Sequence, residues 1–146
     1  MRLIGFFWTT LVIAGCGTEP SPNIVGTWAL THTLSGGGVE CTVSASLIID
    51  ASESSVAGTL SETQASCTQS GQPIAITLLT RSIAGGLDGR DISFATQIPE
   101  DSGDCAFEAF DGRVSASSMS GVVETKPVFC QGTFVRMSGT WEAQRQ

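Results

Sequence analysis

The sequence predicts an all-β fold: an eight-stranded antiparallel up-and-down barrel, with a two-sheet β-sandwich as the alternative. Three observations carry this. Gly, Ser and Thr are abundant, with 17 glycines in 146 residues, and no amphipathic helical run separates the apolar segments. Eight segments of strand character follow one another at hairpin spacing. Short sequential links favour a meander, because parallel crossovers need longer connections. Finally, Gly26-Thr27-Trp28 near the start of the first strand is matched by Gly139-Thr140-Trp141 near the end of the last. Closing the sheet makes those two strands neighbours and removes its exposed edges.

Composition narrows the function before any motif does. The formal charge is −7, with arginine and lysine scattered singly along the chain. Nucleic-acid binding needs a basic face and is not expected. Only 14% of residues are charged while 41% are hydrophobic, so a packed domain is expected rather than a disordered chain.

The order of elements begins with a processing signal. Arg2 is a minimal positive region, and Leu3 to Ala14 is an apolar run too short to span a membrane. Ile13-Ala14-Gly15-Cys16 resembles the lipobox of bacterial lipoproteins. That resemblance implies a signal peptide over residues 1–15, cleavage before Cys16, and transfer of diacylglycerol to the Cys16 thiol. It also implies acylation of the new amine with a palmitate-type chain. Residues 16–23 then form a lipidated, proline-containing tether, and 24–146 the barrel domain. In such lipoproteins an Asp after the lipidated cysteine favours inner-membrane retention. Gly17 stands there, which favours the outer membrane if the organism has one. The expected location is therefore the cell envelope, outside the cytoplasm, with the membrane as a partner through the lipid.

With Cys16 assigned to lipid, Cys41, Cys67, Cys105 and Cys130 remain. An even number in an exported chain implies disulfides. Three connectivities are possible, and spacing favours Cys41–Cys67 and Cys105–Cys130. Each pair flanks a turn signal nearly at its midpoint, Ala51–Ser55 in one case and Ser115–Ser118 in the other. Residues equidistant from a hairpin turn face each other at disulfide range.

The eight strands are expected over Ile24–Leu34, Cys41–Asp50, Ser55–Ser66, Pro73–Ala84, Arg90–Ile98, Cys105–Val114, Met119–Val128 and Thr133–Ala143. Trp28, Leu30, His32 and Leu34 alternate onto one face of the first strand. Asp88-Gly89 is a two-residue hairpin signal. One conflict arises. If Cys41 faces Cys67, Leu60 points away from the apolar face of strand two, and a bulge near Gly58 is needed to restore it.

Gly-Thr-Trp on a first strand is similar to the G-x-W of lipocalins and to the opening strand of avidin-like barrels. The lipocalin resemblance implies a basic residue on the last strand lying over that tryptophan, and Arg145 is the candidate. Avidins use a Tyr in biotin contact, and this chain has no Tyr, so biotin is not expected.

Chain direction orients the barrel. The end where strand one begins lies nearest the tether and is termed proximal. All four paired cysteines fall at the distal rim. Distal connections are expected to be longer, at Ser35–Gly38, Thr68–Gln72 and Pro99–Asp104, and binding commonly resides in such loops. Candidate ligand contacts inside the barrel are Trp28, Leu30, His32, Leu34, Phe94, Phe107 and Trp141, with Val43 and Leu47 also facing inward.

No catalytic set is expected. His32 is the only histidine and no G-x-S-x-G occurs. Glu108 and Asp111 fall on opposite strand faces. No C-x-x-C occurs, the acidic run Pro99–Asp104 lacks an EF-hand pattern, and Gly36–Gly38 has no Walker lysine. No metal or cofactor is therefore expected. The sequence reads as a non-catalytic lipoprotein binding a small apolar or amphipathic ligand in a barrel calyx. The alternative is a protein-binding envelope adaptor, or a hydrolase inhibitor, acting through the distal loops.

Overall fold

The computed structural model describes residues 20–100, 102–128 and 134–146. Among the described residues nine strands form: β1 (Gly26–Gly36), β2 (Val39–Ser52), β3 (Ser55–Gln69), β4 (Gln72–Ile74), β5 (Thr80–Asp88), β6 (Asp91–Thr96), β7 (Ala106–Val114), β8 (Ser118–Pro127) and β9 (Ser138–Arg145). All pairings are antiparallel, and the sheet runs β1-β2-β3-β5-β6-β7-β8-β9 before β9 returns to β1. This is a closed eight-stranded up-and-down barrel. β4 is an extra strand paired only to the distal end of β3. The signal segment with Cys16, the start of the tether, and Cys130 lie outside the described residues.

Two distal connections are shorter than expected. Gly36 pairs with Val39 and Gln69 with Gln72, leaving two-residue turns. Both residues of each turn, Gly37-Gly38 and Ser70-Gly71, have positive φ. That conformation matches strand twist, and glycine adopts it without a Cβ clash. Of the three connections expected to be long, the one from β6 to β7 is, running over residues 97–105. The expected strand Pro73–Ala84 is divided into β4, an irregular segment over residues 75–79, and β5. β5 runs on to Asp88, so the next turn is Gly89-Arg90 rather than Asp88-Gly89.

The anticipated bulge exists, but at a different place. Ser44 pairs with Gln64 and Ala45 with Glu62, so Thr63 is the extra residue. Its hydroxyl donates to the Ser44 carbonyl at 3.1 Å. The one-residue slip satisfies both constraints on this hairpin: Cys41 stays opposite Cys67, and Leu60 comes opposite Leu47. Gly58 serves another purpose. A Cβ there would lie 1.9 Å from the Ile48 carbonyl oxygen, so it permits close strand approach.

Cys41 and Cys67 form a disulfide with Cα atoms 4.1 Å apart. Cys105 is also disulfide-bonded. All three lie toward the distal end, where β2 starts, β3 ends and β7 is about to start.

The inward faces pack into a continuous apolar core. Phe94 and Phe110 face each other across β6 and β7 and stack at 4.8 Å, and Trp141 meets both edge-on. The indole has room because Gly112 and Gly121 are paired beneath it. A Cβ on Gly112 would lie 2.8 Å from the ring. β1 and β9 are neighbours as expected, but the two tryptophans do not sit side by side. Trp28 lies opposite Arg145, while Trp141 lies opposite His32, four residues further along β1. Trp28 therefore belongs to the proximal layer and Trp141 to the middle of the barrel.

Candidate functional site

Alternation along six strands builds the site. Leu30, Leu60, Ile83, Phe94, Phe110 and Val123 are buried inward residues. Two residues further toward the distal end, the same faces carry His32, Glu62, Arg81, Thr96, Glu108 and Thr125. The barrel interior thus changes from apolar to polar in one layer. Above that layer is a cup of about 180 Å³, lined among others by Glu62, Arg81, Thr96, Glu108 and Thr125, with Leu60, Leu79 and Phe107 as apolar walls.

Several polar groups in this layer are already partnered. Arg81 Nη2 lies 2.6 Å from Asp104 Oδ2. That bond, with a second from Ser102, holds the Asp104 carboxyl below its ordinary range. The Thr125 hydroxyl accepts from the Met137 N–H at 2.8 Å, and Thr96 Oγ1 accepts from the Glu108 N–H at 3.0 Å. Glu62 Oε2 accepts from the Leu79 N–H while the Glu62 N–H donates to the Leu79 carbonyl, both at 2.9 Å. This reciprocal pair fixes the irregular segment over residues 75–79 against the cup.

His32 differs from these. Its side chain is fully buried, with Nε2 3.4 Å from Glu108 Oε1. That separation gives an electrostatic contact, but neither ring nitrogen makes a hydrogen bond. Phe110 packs edge-on against the ring at 5.5 Å. A buried polar atom without a partner is unfavourable by about 1–3 kcal/mol, so these nitrogens mark a place where something else is needed.

The opposite mouth is closed. The Trp28 indole N–H donates to the Ile24 carbonyl at 2.9 Å. The Arg145 guanidinium lies 4.4 Å from the centroid of the Trp28 ring. It also donates to the carbonyls of Val25 and Asn23. Arg145 therefore covers the tryptophan, as the lipocalin resemblance implied, and ties the incoming chain to the last strand.

The expected site residues divide into two groups. Trp28, Leu30, Leu34, Phe94 and Trp141 are all in the packed core, below or beside the cup. His32 reaches the cup floor through Glu108. Phe107 was expected inside, but Phe110 and Val114 set the inward parity of β7, which selects Glu108 instead. Phe107 is half-buried and borders the cup from the rim. Asp111 is exposed on the outer face, so it and Glu108 point opposite ways, as expected.

Sequence reasoning leaves Glu62 and Arg81 out of the site and weighs Glu108 only against Asp111, not as a cup residue. Counting by twos from Phe110 reaches Glu108, and from Ile83 reaches Arg81, so the signal was present for both. Glu62 was hidden by the bulge. Counting back from Cys67 without a slip reaches Ser61 and turns Glu62 outward.

Burial pushes the Glu62 carboxyl above its ordinary range, and the charge of Glu108 adds to this against the Leu79 hydrogen bond, His32 and Arg81. The folded state therefore holds its proton more tightly than the unfolded chain. The stability penalty is absent in acid, below the unfolded pKa, and complete above the folded one. Glu62→Gln keeps the oxygen facing Leu79 and removes the charge. Its melting temperature should exceed that of the wild type at neutral pH, and the difference should vanish near about pH 3, where glutamate is protonated in both states. A destabilised variant at neutral pH would contradict this electrostatic account.

Among the described residues, no group of three or more His, Cys, Asp and Glu is arranged to hold a metal ion. No family model, curated protein or solved structure matches the chain.

Proposed function

We propose that this chain is an exported, lipid-anchored lipoprotein with a lipocalin-like barrel, holding a small amphipathic ligand in its distal cup without catalysing a reaction. The observation that carries this is the asymmetry of the barrel ends. One mouth is covered by Arg145 and Trp28 beside the tether. The other opens into a cup with apolar walls and an acidic lining, with His32 buried behind Glu108. At about 180 Å³ the cup is smaller than the ~300–1,000 Å³ typical of drug-sized ligands. Its occupant is a compact molecule or the small end of a larger one.

Native mass spectrometry of the protein purified from envelopes should reveal a small-molecule adduct. Ala106→Trp, at the mouth, should lose it. No adduct in the wild type, or an equal adduct in the variant, would overturn the ligand reading. A second reading, protein docking at the distal rim, is favoured by exposed Ile76 and Leu78 on the segment beside the cup.

The anchoring has its own test. Wild-type cells fed labelled palmitate should label the protein, and Cys16→Ala should abolish labelling. Each methylene inserted in the bilayer contributes ~0.8 kcal/mol, so two or three chains hold the wild type in the membrane fraction. Labelling that survives in Cys16→Ala would sink the lipobox assignment.

A further inference from the structure

We propose that residues 75–79 form a strap that closes onto the free edge of β3, and that the Glu62 carboxylate is the latch holding it open. Its basis is backbone geometry alone, independent of any occupant of the cup.

By sequence the strap belongs in a strand. Ala75, Ile76, Thr77, Leu78 and Leu79 include β-branched residues that suit a pleated sheet, and one strand is expected across Pro73–Ala84. Instead β4 ends at Ile74, β5 begins at Thr80, and all five residues between them are exposed. Chain length is not the cause. Cys67 pairs with Ile74 and Ser61 with Thr80. Residues 62–66 of β3 and 75–79 of the strap are therefore equal in number, and the register is the same on both sides of the gap. The strap can lie along β3 with no residue left over.

The gap starts where a side chain takes the place of a carbonyl. In a hydrogen-bonded antiparallel pair the two residues exchange both N–H···O bonds. Glu62 and Leu79 are the next pair after Ser61 and Thr80. One bond of the exchange is made, from the Glu62 N–H to the Leu79 carbonyl at 2.9 Å. The other is diverted. The Leu79 N–H donates to Glu62 Oε2, also at 2.9 Å, and not to the Glu62 carbonyl. An ionised carboxylate accepts roughly twice as strongly as a neutral carbonyl, so it wins the donor and the ladder stops. Among the described residues, no backbone bond then holds residues 75–78 to β3. The Thr63 bulge lies in the same stretch and demands a matching irregularity in any strand pairing there. That keeps the closed ladder marginal, so a single hydrogen bond can decide the balance. Leu79 borders the cup between β3 and β5, which makes the strap a side gate: closing completes the wall, and opening leaves a lateral gap.

The test is NMR of the full chain in neutral detergent at neutral pH. Wild-type relaxation dispersion should show microsecond-to-millisecond exchange at residues 62–66 and 75–79, with none around Phe94 and Phe110. Glu62→Ala removes the competing acceptor. It should raise the closed-to-open ratio at least about tenfold, the shift expected of one hydrogen bond to a charged group. Amides across residues 75–79 should then gain exchange protection, and cross-strand contacts between the strap and β3 should appear. Glu62→Gln keeps an uncharged acceptor and should fall between the two. Loss of protection at Leu79 in Glu62→Ala, with no gain elsewhere in the strap, would make Glu62 a tether and overturn the latch. A strap without exchange in the wild type and unchanged in both variants would overturn the gate itself. Neither result bears on the ligand reading, which the adduct measurement tests separately.

Discussion

Trp28→Ala should destabilise the barrel by about 4 kcal/mol, within the range for removing a fully buried large aromatic side chain. Trp28 has no exposed surface, so the variant leaves a cavity in the proximal layer. It also removes the donor bonded to the Ile24 carbonyl and the ring beneath Arg145. Urea unfolding measures the loss directly. A double-mutant cycle with Arg145→Ala should give a coupling of about 1 kcal/mol, as for a partly exposed cation–π pair. Arg145 also donates to two carbonyls of the entering chain, so Arg145→Ala alone should loosen that chain even where the ring remains. Trp28 lies at the far end from the cup, so the small-molecule adduct should survive in whatever fraction of Trp28→Ala stays folded. A loss below about 1.5 kcal/mol, or a selective loss of binding, would mean that Trp28 is a ligand contact and not the proximal plug.

The barrel was legible because its determinants are repetitive. Alternation on β1 fixes Trp28, Leu30, His32 and Leu34 inward, and the described register agrees at each. Turn midpoints located Cys41 opposite Cys67. The Gly-Thr-Trp pair brought β1 and β9 together, though the offset between the tryptophans depends on shear, a property of the whole sheet that no single strand encodes. Loop lengths are not legible at Gly37-Gly38 and Ser70-Gly71, because a polar, glycine-rich stretch suits a tight turn and a long loop equally well. The site was less legible for a related reason. Alternation singles out apolar residues as ligand contacts, yet a barrel this narrow uses them to fill itself. What distinguishes the cup is a layer of polar residues, each separated from its neighbours by many positions in sequence. A single inserted residue, Thr63, was enough to hide Glu62.

Replacing Cys41 and Cys67 together with alanine should lower stability by about 3 kcal/mol, with the loss concentrated at the distal end. The bridge closes a sequence separation of 26 residues. The chain-entropy relation assigns roughly 3–4 kcal/mol to a loop of that size. The location follows from how β3 is held. β2 supports it along its whole length, but β5 pairs with it only from Ser55 to Ser61. Beyond Ser61 the other edge of β3 meets the Leu79 carbonyl at Glu62, and then β4 from Cys67 onward. The Thr63 bulge interrupts the β2 ladder in the same stretch. Without the disulfide, this doubly weakened segment should open before the rest of the barrel. Hydrogen exchange should therefore accelerate most at residues 39–44 and 63–69, with smaller changes around Phe94 and Phe110. Because Glu62 stands at the edge of that segment and lines the cup, the reduced protein should also retain less of the cup's ligand. Uniform acceleration across all strands would instead place the disulfide's contribution in the unfolded chain alone. Unchanged stability would show that the hairpin register is held without it.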